Sequence, residues 1–394
     1  MSHSDSPLSP LCEMYSFSRP YEAMAALNAT VRLRAPDGKV YSFTDLMCAN
    51  GAVNFGHMNP SIDPFSGLTS DLVAGFYPPT AVTHATWLLN KLKLPGHTVL
   101  YRIGGSLAVS SAIAIAQRIR PGKVLTIQGS VHGLAVDTLA VSSRGLDQSS
   151  QPGPLAAHLQ QPILTIPAGS DFSNWDQISC LLYEPIQGIN GYVPLPPAWL
   201  RALSQSAQGA GVTVIADEIQ SGFYRFGFLS IASQESLNPD ILLFSGSMTN
   251  GIYPTSALIY PRDFHRALPA ADNYSNHTFQ TSSLGLAAAL AVANYIDSTD
   301  IAGRIAIIHG IFAKSVDRLA GNPDLSQFHL AGPTLSLAIR DGRATEVVRK
   351  CEERGLLISV GAAGKRIRIA PPITIPEHQL VAALAIIEQA VNSL

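Results

Sequence analysis

Charged residues are scarce in this chain, and neither sign dominates. Asp, Glu, Lys and Arg make up 14% of the 394 residues, and the formal net charge is −2. A near-neutral chain lacks the positive field that attracts nucleic acids and anionic membranes, so we expect neither partner. Hydrophobic residues make up 46% of the chain, which is enough for a globular core, and the length suits two domains.

Cysteines and long apolar runs are also few. The four cysteines, at positions 12, 48, 180 and 351, are isolated from one another and form no CxxC or CxxH pattern. This spacing predicts reduced thiols and no metal site. The most apolar stretch, 284–296, is too short to cross a bilayer. The polar first residues lack the apolar segment typical of a secretory signal, and we expect a cytoplasmic enzyme.

Two local patterns occur near the N-terminus. Residues 1–28 are interpreted as a polar segment followed by a short helix. The alternating pattern over 31–43 surrounds the turn sequence PDG at 36–38, and this combination predicts a β-hairpin.

The chain also contains a series of apolar runs that end in acidic or glycine residues. The run VTVIA at 212–216 ends in Asp217 and Glu218. A β-branched run of this kind is typical of a buried parallel strand. Ligands of open α/β sheets bind at the carboxyl ends of such strands, so Asp217 is predicted at the floor of a site. The alternative is that the two carboxylates only cap a helix.

Three other strand-to-turn segments repeat this arrangement. The sequence GGS at 104–106 follows an apolar run and begins a predicted helix, whose free N–H groups and dipole suit a phosphate. His132 lies in a Gly-rich turn after one apolar run, and Glu184 ends another. An ordinary strand-to-helix turn or strand-end cap is the alternative at each position.

These segments, in this order, resemble the class III (ω-type) aminotransferases that use pyridoxal phosphate (PLP). The match is closest over DEIQSGFYRFG at 217–227, and it continues in EPIQGING at 184–191 and RIAPPI at 368–373. The resemblance covers residues 30–390. It implies an α/β protein of PLP-dependent transferase fold type I, with a mostly parallel seven-stranded sheet in a large domain and a small α/β domain.

The same resemblance implies three domain ranges. An N-terminal segment at 1–45 would pack with the small domain. The large PLP-binding domain would span 46–290, and the small C-terminal domain would span 291–394.

The resemblance further implies a role for each matching cofactor residue. Asp217 would pair with the protonated pyridine nitrogen of PLP, which keeps the ring able to accept electrons. Ile219 would lie against the back face of the ring, and Gln220 would bond its 3′-oxygen. Val131 stands where the family has an aromatic residue that stacks on the ring. The remaining implied cofactor positions are Gly105, Ser106, His132 and Glu184.

Substrate and subunit contacts are implied in the same way. Arg368 would bind the substrate carboxylate through its planar guanidinium, while Lys365 and Arg366 are expected to be solvated. Thr278 would reach the PLP phosphate of the neighbouring subunit, which implies a homodimer with shared active sites. The implied small-molecule partners are an amine or amino acid and a 2-oxo acid.

The Schiff-base lysine of the family has no counterpart here. The sequences PD at 239–240 and TNG at 249–251 fix the register, and the lysine position falls on Gly246. No lysine occurs between Lys123 and Lys314. In the family this lysine anchors PLP and moves the proton on the substrate Cα. Loss of a general base costs on the order of 10²–10⁴-fold in rate.

Three interpretations remain open. The chain is a Lys→Gly variant of a working aminotransferase that traps an external aldimine, a natural relative that has lost transamination but binds PLP, or a relative that no longer binds PLP. The expected function is amino-group transfer between an amino acid or amine and a 2-oxo acid, impaired by the missing lysine. PLP would then be held non-covalently or as a substrate aldimine. The alternatives are a catalytically silent binding protein with this fold and a PLP enzyme with lysine-independent chemistry.

Overall fold

The computed structural model describes residues 21–73, 75–143, 163–267 and 277–394. The first 20 residues of the predicted N-terminal segment, including Cys12, lie outside these ranges. Within them, no helix has both the length and the apolar character needed to cross a membrane.

The strands form a seven-stranded sheet, two four-stranded sheets and a two-stranded ribbon. In chain order they are β1 (Glu22–Leu27), β2 (Thr30–Arg34), β3 (Val40–Asp45), β4 (His97–Ile103), β5 (Lys123–Ile127), β6 (Ile163–Ile166), β7 (Ile178–Tyr183), β8 (Ile186–Gln187), β9 (Val193–Pro194), β10 (Thr213–Asp217), β11 (Ile241–Phe244), β12 (Thr255–Pro261), β13 (Leu325–Ala331), β14 (Thr334–Ile339), β15 (Leu356–Leu357), β16 (Ser359–Gly361) and β17 (Arg366–Ile369).

The helices surround these sheets. In chain order they are α1 (Cys48–Gly51), α2 (Pro79–Leu92), α3 (Gly104–Ile119), α4 (Val136–Ala140), α5 (Pro197–Gly209), α6 (Ile231–Gln234), α7 (Arg262–Ala267), α8 (Ser283–Ser298), α9 (Ile301–Leu319), α10 (Ala344–Glu352) and α11 (Glu377–Asn392). Short 3₁₀ turns occur at Phe65–Gly67, Gly246–Thr249, Arg340–Gly342 and Ala362–Gly364. The turn α1 is irregular, because Ala49 and Asn50 have left-handed backbone angles.

The large sheet confirms the predicted fold. Its order is β4-β12-β11-β10-β7-β5-β6, and every pairing is parallel except the two made by β12. Strands β7, β10 and β11 are buried at every residue, since α3 packs on one face of the sheet and α5 on the other. This double burial explains their uninterrupted apolar sequences.

The predicted hairpin is present, but the predicted short helix is wrong. Strands β2 and β3 pair antiparallel, with Arg34 opposite Val40 around the turn. Residues 22–27 form β1 instead of a helix and pair with β2. Their sequence, EAMAAL, has high helix propensity, so pairing with the hairpin edge outweighs the local preference.

The C-terminal sheet has the order β13-β14-β17-β16, with antiparallel pairings throughout. One of its faces carries Leu335, Leu337, Ile367 and Ile369, which pack with residues of α9, α10 and α11 in a separate apolar core. Strand β15 leaves this region and pairs parallel with β3. The N-terminal sheet is therefore attached to the C-terminal part of the chain.

Candidate active site

A buried carboxylate–imidazole pair lies where three parallel strands end. Asp217 is the last residue of β10, and its Oδ2 lies 2.8 Å from Nδ1 of His132, in the turn after β5. The other carboxylate oxygen accepts the N–H of Ile219 at 3.1 Å. The second ring nitrogen of His132 faces the Thr126 hydroxyl at 3.2 Å. Asp217 is thus held in one orientation by the turn that follows it and by His132 in the turn after β5.

Glu184 follows β7 and lies near the Asp217–His132 pair; these three residues are called the floor of the site below. Its two oxygens accept the N–H groups of Val131 at 2.7 Å and Gly188 at 3.0 Å. Burial raises the pKa of Glu184 to about 7, and the Asp217 carboxylate acts in the same direction. The side chain therefore ties the turn carrying Val131 to the turn after β7.

The helix-cap alternative applies to Glu218 and not to Asp217. Glu218 is fully buried and accepts the N–H groups of Ile231 at 2.6 Å and Ala232 at 3.0 Å, at the start of α6. The Ser230 hydroxyl donates to the same carboxylate at 2.5 Å. The two adjacent acids therefore make different contacts: Glu218 caps α6, and Asp217 pairs with His132.

The glycine-rich start of α3 lies beside this floor. The N–H of Gly104 donates to the carbonyl of Pro254, and Ile103, which precedes the helix, offers no side-chain cap to the N–H groups that follow. A Cβ on Gly105 would meet the side chain of Ile219 at 3.0 Å, so the helix start and the residue after Asp217 are in close contact. The Ser106 hydroxyl accepts the N–H of Leu134 at 3.1 Å.

Gln220 has a polar atom that nothing in the described chain satisfies. Its Oε1 is buried and has no hydrogen-bond partner among the described residues. The amide lies over Gly188, where any Cβ would overlap it. A buried orphan of this kind calls for a partner from outside the chain. Together with the uncapped start of α3 and the Asp217 carboxylate, it fits a ligand that carries a phosphate, a ring hydroxyl and a basic ring nitrogen.

Arg368 on β17 is buried beside Gly188, in the turn that Gln220 also contacts; the space between Arg368 and Asp217 is called the cleft below. One terminal nitrogen donates to the carbonyl of Gly188 and the other to Oδ1 of Asn50, both at 3.2 Å. Its guanidinium carbon lies 5.5 Å from the centroid of the Tyr192 ring. No carboxylate of the described chain pairs with this arginine, which leaves its charge available to an anion.

Gly246, the predicted lysine position, begins the 3₁₀ turn after β11. A Cβ built there would meet Ala52 at 3.5 Å and the carbonyl of Ile219 at 3.8 Å, which are ordinary contacts. The backbone φ is +50°, a conformation that favours glycine. A side chain on residue 246 therefore has room, although its positive φ would cost some backbone free energy. Its Cβ would lie near the carbonyl of Ile219.

Thr278 takes no part in the hydrogen bonds described above for Asp217 and Glu184. It is exposed, in a turn at 277–281 that Gln280 attaches to Arg102 through a hydrogen bond of 3.0 Å. The neighbouring Asn276 of the sequence motif lies outside the described residues. The role of Thr278 in a partner's site stays a prediction.

Some residues of the cleft were missed by sequence reasoning. Asn50, Gly188 and Tyr192 all contact Arg368 or Gln220. Gly188 and the position before Tyr192 lie inside the EPIQGING motif, so the motif itself offered a signal for them. Asn50 begins the segment NGAVNFGHMNP at 50–60, which resembles a family segment that bends near the cofactor, but its contact with Arg368 depends on the irregular turn α1.

The model of the Aminotransferase class-III family matches residues 19–391. The chain belongs to this family. Class III aminotransferases depend on PLP, so the predicted cofactor is confirmed as that of the family.

Two curated relatives and two solved structures illustrate the match. The chain is 28% identical to acetylornithine aminotransferase from Methanothermobacter thermautotrophicus over 304 residues, 76% of either chain. It is 26% identical to ornithine aminotransferase 2 from Staphylococcus aureus over 379 residues, 90% of either chain. The ornithine aminotransferase of Toxoplasma gondii ME49 shares the fold, with a TM-score of 0.82 and 21% identity over 98% of this chain and 93% of that one. The acetylornithine aminotransferase of Elizabethkingia anophelis does so with a TM-score of 0.76 and 23% identity over 100% and 96%.

Proposed function

We propose that this class III family member binds PLP in the cleft above Asp217 and that its amino-group transfer is impaired because Gly246 occupies the lysine position. The substrates would be an amino acid or amine and a 2-oxo acid. We further propose a homodimer with shared sites, a cytoplasmic location and the domain ranges 1–45, 46–290 and 291–394.

The residues present fit the cofactor. The uncapped start of α3 at Gly105 and Ser106 would hold the phosphate, and Asp217 would hold a proton on the pyridine nitrogen. Gln220 would bond the ring oxygen through the amide atom that now has no partner. When bound, PLP supplies an electron sink for the substrate. His132 and Glu184 would keep Asp217 and Val131 in place.

Ring contact would be apolar on both sides. Ile219 packs against Gly105 on one side, and Val131 is anchored by Glu184 on the other. A valine offers no aromatic stack, so we expect a weaker hold on the ring than a phenylalanine or tyrosine would give.

Arg368 would orient the substrate. Its two terminal nitrogens now donate to Gly188 and Asn50, and a carboxylate could replace the neutral Asn50 oxygen with a charge-assisted contact. The planar fork suits one carboxylate in one orientation.

The single observation that carries the proposal is the surrounding of Gly246. Residue 246 lies against Ala52 and Ile219, beside the proposed ring position, and contributes no side chain. The chain therefore offers no amine there to anchor the cofactor or to take the substrate Cα proton.

The substitution Gly246→Lys tests this directly. It restores an amine where a Cβ has room, and we expect amino transfer from an amino acid to a 2-oxo acid to rise about 10²–10⁴-fold. Both Gly246→Lys and the control Gly246→Ala carry the same backbone cost, about 1–2 kcal/mol at positive φ. Only the lysine variant should gain activity. Equal activity of the two variants, with PLP bound, would contradict the proposal.

A second function is favoured by the same glycine. With no lysine at residue 246, the chain would bind PLP without turnover, or would use PLP in chemistry that needs no lysine. An absorbance spectrum with PLP and a panel of amines separates these cases. Product formed by the wild-type chain would indicate lysine-independent chemistry, and a spectral change without product would indicate binding alone.

A further inference from the structure

Arg225, in the loop after β10, has the largest fully buried side chain among the described residues. Its Nη2 donates to the carbonyl of Pro371 at 2.7 Å. Its Nε and Nη1 are buried and have no hydrogen-bond partner in the described part of the chain, and no carboxylate there pairs with them. A buried cation without a counter-ion is costly, so a contribution to stability does not account for this arginine.

The stem of Arg225 packs against the turn α1. A Cβ on Gly51, the last residue of that turn, would meet Cδ of Arg225 at 3.2 Å and the carbonyl of Gln220 at 3.8 Å. On another side, the Ser247 hydroxyl donates to the carbonyl of Gly51. The turn is therefore enclosed between Arg225 and the 3₁₀ turn that begins at Gly246.

Backbone strain is concentrated around Arg225. The three consecutive non-glycine residues 48–50 have φ between +47° and +57°. Phe223 and Tyr224, which immediately precede Arg225, also have positive φ, at +53° and +67°. Such residues persist only where the surrounding structure holds them, and they concentrate at functional sites.

The turn α1 presents two residues to the proposed active site. Asn50 accepts a hydrogen bond from Nη2 of Arg368 at 3.2 Å. Ala52, just after the turn, lies 3.5 Å from the position of a Cβ on Gly246. Left-handed and ordinary backbone angles direct the following chain differently, so a relaxed turn would carry both residues elsewhere.

We propose that Arg225 is a positioning residue, which holds the turn 48–51 in its left-handed conformation and so places Asn50 where it orients the free guanidinium of Arg368. The hydrogen bond to Pro371 links the turn to the segment after β17, the strand that carries Arg368. An apolar side chain would fill the same space without a buried charge, but it could not make this bond. The hold on the turn rests on geometry alone, whereas its consequence for substrates rests on the proposed function.

Cys48, the first residue of the turn, can report its opening. Its thiol is free and fully buried, as are those of Cys180 and Cys351. Burial raises the pKa of the Cys48 thiol to about 12, and the charge of Arg225 opposes that rise. Because the thiolate is the reactive form, Cys48 should react with a thiol reagent only when the turn opens, and the other two cysteines report opening elsewhere.

The first part of the test uses Arg225→Met, Arg225→Lys and the control Arg304→Met. Arg304 is partly buried and donates to the carbonyls of Ile373 and Ile375, in the same segment as Pro371.

Each protein is treated with iodoacetamide, and the labelling of each cysteine is followed by peptide mass spectrometry. We expect Cys48 to label about tenfold faster in Arg225→Met than in wild type or in Arg304→Met, the effect of losing one hydrogen bond to a charged group. Labelling of Cys180 and Cys351 should stay unchanged. Arg225→Lys can still reach Pro371 and should retain part of the protection.

The second part measures ligands on the same proteins loaded with PLP. Spectral titration with alanine and with isopropylamine separates ligands that carry a carboxylate from those that do not. We expect alanine affinity to fall about threefold to tenfold in Arg225→Met, because Arg368 loses the contact that orients it, and to recover in part in Arg225→Lys. The affinities for isopropylamine and for PLP should not change.

Several results would overturn the proposal. Unchanged labelling of Cys48 in Arg225→Met means that Arg225 does not hold the turn. Faster labelling with unchanged alanine affinity makes Arg225 a structural support alone. Equal weakening for alanine and isopropylamine, or faster labelling of all three cysteines, indicates a general loosening of the fold. If the wild-type chain takes up no PLP, the proposed function fails, and the labelling of Cys48 alone decides whether Arg225 holds the turn.

Discussion

The two ends of the cleft differ in how completely their polar groups are paired. At the floor, Asp217 pairs with His132, His132 faces the Thr126 hydroxyl, and Glu184 accepts two backbone N–H groups, at distances of 2.7–3.2 Å. At the proposed substrate end, Arg368 donates to neutral oxygens and to no carboxylate among the described residues, and Gly246 contributes no side chain. A paired network holds its geometry without a ligand, whereas unpaired charge and empty space are completed by one. The paired floor matches the proposed cofactor site, and the bare Gly246 matches the proposed loss of the lysine.

The largest effect on this comparison is expected at the floor. Asp217→Asn removes the charge that would hold the ring proton and weakens the pair with His132. We expect PLP affinity, measured by fluorescence titration, to fall about 10–100-fold, the range for a hydrogen bond to a charged group. The control Asp176→Asn makes the same charge change at an exposed residue. Equal PLP affinities for the two variants would refute the assignment of Asp217.

The next largest effect is expected at Arg368, and it should be confined to ligands that carry a carboxylate. Arg368→Lys keeps one charge but loses the planar fork. We expect binding of amino acids to weaken about tenfold, and binding of amines without a carboxylate to stay unchanged. Spectral titration of the PLP-loaded protein with alanine and with isopropylamine measures both. Equal weakening for the two ligands would show that Arg368 is not a carboxylate clamp.

A smaller effect is expected at Gly188, which contacts both Gln220 and Arg368. Gly188→Ala places a Cβ on the Gln220 amide, and this flexible side chain must move. We predict a loss in PLP affinity of about threefold to tenfold, the value of one neutral hydrogen bond. Gly209→Ala is the control, because a Cβ there meets nothing within 4 Å. An unchanged affinity in Gly188→Ala would mean that Gln220 does not contact the ring.

The smallest effect concerns the pH dependence of stability. The pKa of Glu184 is raised by burial from 4.5 to about 7, so folding favours its protonated form. The associated stability is present below pH 4.5 and is lost as the pH rises through 7. Urea unfolding between pH 5 and 8 should show this decline, and Glu184→Gln should flatten it while lowering stability overall, since one backbone N–H loses its acceptor. A wild-type slope in the variant would place the titration elsewhere.

The large sheet and its floor were predictable from sequence because each depends on local runs. The VTVIA strand, the hairpin around PDG and the strand-to-turn segments each signal their structure within a few residues. The placement of Arg366 on the C-terminal sheet was not predictable in this way. Lys365 is exposed as expected, but Arg366 is half-buried with Nη1 enclosed, because the register of β14 and β17 puts it on the face that Gly191 covers. That register relates residues about 30 apart in sequence and leaves no local pattern.

Covalent labelling tests the central claim most directly. Each protein is loaded with PLP, reduced with borohydride and weighed by intact mass spectrometry. We expect wild-type protein and Gly246→Ala to retain PLP without covalent attachment, and Gly246→Lys to gain the mass of one reduced cofactor at residue 246. A wild-type chain labelled stoichiometrically at one of its own lysines would contradict the account, because another lysine would then serve in place of the one missing at Gly246.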